Sequence, residues 1–241
     1  MIAHANSDSL SLLCVLCVSA VNLLPDEFGA TKMFGPSTPI GEFLDAAAAK
    51  RPTPGGGSVA ALVGALAASM GEMTVNYSLG KKGLEPYQDQ LKTALAGLTR
   101  TRALLLELMA EDQGAFEAVT AARKLPQSDP QRQGKFDAAL LACIRIPEAM
   151  AAAGVGILQI VDTAAPIANA YLLSDLAVCA DLAMATVRCA IHNVRANLND
   201  VTDPADRKSI EGTINTVNAH ALTLIQRVAP AIAARQTNSP S

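Results

Sequence analysis

In this 241-residue chain, one carboxyl group stands where a carboxyl is costly. Leu91, Leu95, Leu98, Leu105, Met109, Phe116 and Val119 recur in alternating steps of four and three, the spacing of a helix seam turned toward a core, and Arg102 and Asp112 fall on the same line. An ionisable group on such a stripe is unfavourable unless paired. Removal from water also raises a carboxyl pKa toward the range that moves protons near neutrality. Asp112 is therefore the residue whose type and place point to general acid/base chemistry. The pattern equally allows a stripe that drifts to the surface here, or a buried pair between Asp112 and an arginine.

A second line carries Asp175, Cys179, Leu182, Thr186, Cys189, Asn193 and Asn197. Asp175 and Asn193 are 18 residues apart, roughly 27 Å along a helix, so one small reacting centre cannot touch both. They line one long groove or serve two places, and amides such as Asn193 and Asn197 also serve simply to fix helix register. The turn Thr53-Pro54-Gly55-Gly56-Gly57-Ser58 places consecutive N–H groups and a Ser N-cap ahead of an apolar helix. That arrangement suits an anion or a closely approaching ligand, or else only a tight entry into a crowded helix. It lacks the GxxxxGK[ST] order of a nucleotide loop. Gly80-Lys81-Lys82-Gly83 reads as a basic helix end, or as a carboxylate-binding site.

Six helices are needed to position these groups: Thr38 to Lys50, Ser58 to Leu79, Leu84 to Arg123, Gln131 to Asp162, Pro166 to Leu198, and Pro204 to about Gln236. Pro147 should kink the fourth. Half the residues are apolar and only 3% aromatic, and the abundant alanine favours closely packed helices over strands. The expectation is one all-α domain, a bundle of about six helices over residues 33–241. Val59 to Met70 is apolar or small on every face, so this helix must be covered all round. A single six-helix chain would not manage that, and a homodimer is expected.

The formal charge of −3 gives no basic field for nucleic acid or an anionic membrane. Cys14 and Cys17 have redox or zinc spacing but no second ligand pair, and His4, His192 and His220 are scattered, so no metal is expected. Five cysteines in apolar surroundings suit a reducing, cytoplasmic compartment. Leu10 to Leu24 is shorter than the roughly 20 residues that span a bilayer, and no basic residue precedes it. Residues 1–32 are read as a leader, disordered or an over-called start before Met33.

In order along the chain, Pro52-Thr53-Pro54-Gly55-Gly56-Gly57-Ser58, Gly80-Lys81-Lys82, Glu111-Asp112-Gln113-Gly114-Ala115-Phe116, Asn169 with Ser174-Asp175, and Asn193-Val194-Arg195-Ala196-Asn197 together resemble the all-helical folate cyclodeaminase/cyclohydrolase family, over residues 38 to 235. Gly83 and Ala168 depart from the residues familiar at those places. The resemblance implies a tetrahydrofolate one-carbon substrate with no further cofactor, and it puts the family's acidic proton donor at Asp112. It further implies a ligand pocket shaped by Pro54, Gly55, Gly56, Gly57 and Ser58, a glutamate tail drawn by Lys81 and Lys82, and pterin or orienting contacts from Asn169, Asp175 and Asn193. Two reactions fit: hydrolysis of 5,10-methenyltetrahydrofolate to 10-formyltetrahydrofolate, and cyclodeamination of 5-formiminotetrahydrofolate with release of ammonia. Without a fused formiminotransferase domain the family's habit inclines toward hydrolysis. The alternative of another class is a helical scaffold that has kept the bundle and lost the chemistry.

Overall fold

The computed structural model describes residues 33–238; the leader lies outside them. Six α-helices follow in order: α1 (Ile40–Ala48), α2 (Gly56–Asn76), α3 (Gln88–Lys124), α4 (Arg132–Ala164), α5 (Leu173–Asn197) and α6 (Pro204–Asn238). Short 3₁₀ turns precede α3 and α5, and no strand occurs among the described residues. Helices α2 to α5 form a closed ring in which α2 packs on α3 and α5, and α4 completes the square from the opposite corner. Helix α6 lies outside, across α4 and α5.

The punctuation works much as its chemistry demands. Gly80 and Gly83 adopt positive φ, +67° and +89°, which lets the chain reverse between α2 and α3 without a side-chain clash. Pro204 opens α6, where the Asp203 carboxylate accepts the Ala205 N–H at 2.7 Å. The fifth helix starts at Leu173 rather than Pro166, because residues 165–172 turn and Asn169 caps the short 3₁₀ piece by accepting the Tyr171 N–H. Ser58 is not the cap of α2. Gly55 holds that place, and Ser58 sits inside the first turn with no exposed surface.

The small residues of α2 set the depth of the core. Glycines 57, 64 and 71 recur every seven residues and let α3 and α5 close on α2 from both sides. A β-carbon on Gly64 would stand 2.9 Å from Leu105 and 2.9 Å from Thr186, and one on Gly71 would stand 3.0 Å from Leu98 and 3.1 Å from Cys179. Each is tighter than ordinary packing, so neither position takes even a methyl group without displacing a neighbour. The partners on α3 and on α5 also step by seven, Leu98 then Leu105, and Cys179 then Thr186. The bundle is thus built in layers.

Among the described residues, nothing covers the outward face of α2. Val59, Leu66 and Tyr77 are exposed, with Leu62, Val63, Met70 and Met73 half-exposed between them, which makes an apolar stripe along the helix. Three helical segments, Gly56–Asn76, Arg132–Ala164 and Ala170–Asp200, are long and apolar enough to cross a membrane by length and composition. In the second of these, 78% of the most apolar window is buried inside the bundle.

Candidate active site

The next layer along α2 departs from this pattern. Where Leu98 and Leu105 lead on α3, the following seventh residue is Asp112; where Cys179 and Thr186 lead on α5, it is Asn193. Both reach the N-terminal glycines of α2. A β-carbon on Gly57 would lie 1.9 Å from Asp112 Oδ1, and one on Gly56 would lie 3.1 Å from Asn193 Oδ1. Only glycine at 57 admits the carboxyl group.

Ser58 holds the other carboxylate oxygen, donating its hydroxyl to Asp112 Oδ2 at 3.1 Å, and its backbone N–H also turns to this carboxylate. The donors at the start of α2 therefore serve the chain's own Asp112 rather than standing open to an external anion. Burial pushes the Asp112 carboxyl above its ordinary value, and the two Ser58 donors partly oppose the rise. The result is a desolvated carboxyl group fixed on two sides.

The surroundings sharpen this. Asn193 donates its amide to the Cys189 carbonyl at 2.8 Å, which leaves Oδ1 against Gly56. Gln113, which sequence reasoning did not single out, accepts the Phe34 N–H at 2.8 Å and donates to the Phe34 carbonyl at 2.9 Å. It ties Phe34 to α3 one residue after Asp112. The thiol of Cys143 on α4 is pushed up to about 12 by burial and by the Asp112 charge, so it stays neutral. Glu111 is raised by burial and by Glu107, and its Oε2 is enclosed without a hydrogen-bond donor. Arg102, the other charge on the α3 stripe, pairs with Glu72 of α2 at 2.7 Å, while Phe116 turns outward, 43% exposed. The paired-arginine reading thus describes Arg102 and not Asp112.

Pro54 is buried behind the turn and joined to Thr53 by a cis peptide bond. With Gly55, Gly56, Gly57, Ser58, Asp112 and Asn193 it makes one group, at the N-terminal end of α2. Lys81 and Asn169 belong to another group. Lys81 donates its ammonium to Asn169 Oδ1 and lies 4.7 Å from the ring centre of Tyr171. Asn169 is itself fixed by Ser78 Oγ at 2.8 Å and by the Tyr77 carbonyl at 3.1 Å. Lys82 is exposed nearby in sequence, and Asp175 lies in the first turn of α5. This second group sits beyond the C-terminal end of α2, whose 21 residues span roughly 30 Å. The two groups do not meet within one chain.

A cavity of about 330 Å³ opens between the α1 region, α2 and α3, lined by Phe43, Leu62, Leu66, Arg102 and Met109 among others. It ends one helical turn short of Asp112. Among the described residues no three His, Cys, Asp or Glu side chains converge on a common point.

Residues 39–216 match the formiminotransferase-cyclodeaminase family. The chain belongs to this family. It is 32% identical over 188 residues to methenyltetrahydrofolate cyclohydrolase of Methylorubrum extorquens, covering 75% of this chain and 90% of that one. Against formimidoyltransferase-cyclodeaminase of Sus scrofa it is 29% identical over 82% of its own length but spans only 37% of that longer protein. The crystal structure of formiminotetrahydrofolate cyclodeaminase from Thermotoga maritima superposes with a TM-score of 0.76 at 28% identity, over 82% of this family member and 97% of the Thermotoga chain.

Proposed function

We propose that this chain is a folate one-carbon enzyme that hydrolyses 5,10-methenyltetrahydrofolate to 10-formyltetrahydrofolate, with Asp112 as its proton carrier. The observation that carries this reading is the placement of Asp112 in a bundle layer that leucines occupy elsewhere, against a glycine that admits nothing larger. In hydrolysis, a water oxygen adds to the methenyl carbon while the Asp112 carboxylate takes one of its protons. The same carboxyl returns that proton to N5 as the carbon–N5 bond breaks, and the remaining hydroxyl proton leaves as the formyl carbonyl forms. The methenyl carbon is already electrophilic, so the chemistry needs proton transfer and position, and we infer no cofactor beyond the folate itself.

The second reading, cyclodeamination, uses the same group: N10 attacks the formimino carbon, the N10 proton passes to the formimino nitrogen, and protonated Asp112 delivers the second proton with which that nitrogen leaves as ammonia. Its support is the Thermotoga cyclodeaminase, which this chain covers almost end to end. Chain length therefore does not separate the two reactions. The deciding experiment mixes purified protein with each compound. Rapid loss of the near-ultraviolet absorbance of methenyltetrahydrofolate, without ammonia from the formimino compound, supports hydrolysis; ammonia release reverses the order. Folate binding with neither reaction would leave a binding protein.

We further propose a homodimer built on the uncovered face of α2. Leu66 is the middle residue of that helix and 44% exposed. A two-fold axis near it would pair α2 with its copy in antiparallel fashion, bury the stripe from Val59 to Tyr77, and bring the Lys81–Asn169 corner of one protomer to the Asp112 end of the other. Lys81, held by Asn169 beside the Tyr171 ring, would then meet the carboxylates of the folate tail in a site shared by two chains. The bundle-buried apolarity of α4 and the thiols of Cys143, Cys179 and Cys189 support a water-soluble protein in a reducing compartment such as the cytoplasm.

A further inference from the structure

Pro147 lies inside α4 and has no N–H to give to the carbonyl four residues earlier, which belongs to Cys143. Helix α4 nevertheless runs on as one element from Arg132 to Ala164. The unclaimed carbonyl is taken from outside the helix. Asn197, the last residue of α5, donates its side-chain amide to Cys143 O at 3.1 Å and, with the same nitrogen, to Asn193 O at 2.9 Å. That one carboxamide joins two components of the site. On α4 it holds Cys143, which lies within range of the Asp112 charge; on α5 it holds the turn from which Asn193 reaches Gly56.

We propose that Asn197 is a positioning residue, whose amide replaces the backbone donor that Pro147 lacks and thereby sets the spacing of α4 and α5 around Asp112. Without this donor the Cys143 carbonyl is left in a half-buried place with no partner, and the end of α5 loses its tie to α4. Asn197 touches no reacting atom. Its effect passes through the placement of Cys143 and Asn193. The proposal rests on Asp112 as the proton carrier.

The test is a double-mutant cycle with a built-in rescue, because Pro147→Ala restores an N–H that points along α4 at the same carbonyl. In the wild-type background Asn197→Ala should lower kcat about tenfold with KM changed less than about threefold. In the Pro147→Ala background the same substitution should cost less than about twofold. A second readout needs no turnover. Cys143-Ile144 is the only Cys-Ile step in the chain, so protein labelled with ¹³C-carbonyl cysteine and ¹⁵N-isoleucine gives one resolvable signal for the Cys143 carbonyl. That signal should move upfield on Asn197→Ala and stay nearly still when Pro147→Ala is present. Equal losses of kcat in both backgrounds, or an unmoved carbonyl signal in the single variant, would overturn the proposal. If the wild-type protein turned over neither folate, the functional reading would fall, and the clamp would stand or fall on the carbonyl signal.

Discussion

Replacing Gly57 with alanine adds only a methyl group to a helix and should nearly abolish turnover. A β-carbon there would lie 1.9 Å from Asp112 Oδ1, 2.4 Å from Cγ and 2.7 Å from Oδ2, where ordinary contact begins at 3.4 Å. The carboxyl must withdraw by about 1.5 Å, and a displacement of about 1 Å at a reacting group costs on the order of 10²-fold. Withdrawal also breaks the bond from Ser58 Oγ, which is fully buried and cannot follow. A loss of kcat of about 10²-fold or more is expected in the absorbance assay with methenyltetrahydrofolate. The backbone should hold, since alanine is the better helix former by about 1 kcal/mol and φ at Gly57 is not left-handed. Gly64→Ala is the matching control one layer down, where the clash is with Leu105 and Thr186 methyls rather than with a carboxyl. It should lower the melting temperature, by overpacking worth about 1–3 kcal/mol, and leave kcat within a few-fold. If Gly57→Ala kept more than about a third of wild-type kcat, Asp112 would not be doing chemistry from this position.

Four further outcomes are expected. Asp112→Asn should lose about 10²-fold in kcat yet melt higher than wild type at neutral pH. With a folded pKa above the ordinary value, Asp112 takes up a proton on folding. Stability of the wild type is therefore lost as pH rises through that window, and the advantage of the Asp112→Asn variant should vanish below it. Ser58→Ala removes the hydroxyl that opposes the rise, so the limb of the kcat–pH profile belonging to Asp112 should move alkaline; an unmoved limb would assign that titration to another group. Mixing Asp112→Asn with Lys81→Ala chains after brief denaturation should restore about a quarter of wild-type activity, the share of intact sites in randomly re-formed dimers, and no restoration would contradict the shared site. Removing residues 1–32 should leave melting temperature and turnover unchanged, since the family match begins only at residue 39; loss of either would contradict the reading of these residues as a leader.

The all-helical class, the six elements and the inward place of Asp112 on its seam were legible because each rests on periodicity, which a sequence carries openly. Boundaries moved where a side-chain hydrogen bond outcompeted the expected helix end. Ser58 reads as an N-cap by type, but its hydroxyl has a stronger acceptor in a carboxylate 54 residues away. Asn169 reads as part of a helix started by Pro166, but its side chain caps a turn instead. The grouping of the site residues was not legible. Lys81 and Asp112 are neighbours in any list of motif residues, yet they lie beyond opposite ends of α2, and nothing in a linear pattern reports which end of a bundle a loop reaches. One signal could have found the layer directly: Gly57, Gly64 and Gly71 step by seven, as do Leu98, Leu105 and Asp112, and Cys179, Thr186 and Asn193.

That shared period explains why a reactive carboxyl can be placed here at tolerable cost. The two inner layers are filled by Leu98 and Leu105, and a fully buried leucine contributes about 1.5–3 kcal/mol. Asp112 forgoes such a contribution and adds a desolvation penalty, which a core layer could not absorb unaided. The outermost layer differs in one respect, the free N–H groups at the start of α2, and Ser58 directs two donors from that turn at the carboxylate. They are enough to keep the group in place but not enough to restore its ordinary acidity. A carboxyl one layer deeper, at Leu105, would face helix interior with every N–H already committed. The proposed chemistry therefore lies at the level of the α2 seam where the helix has donors to spare, and Gly57 is the residue that lets the carboxyl reach them.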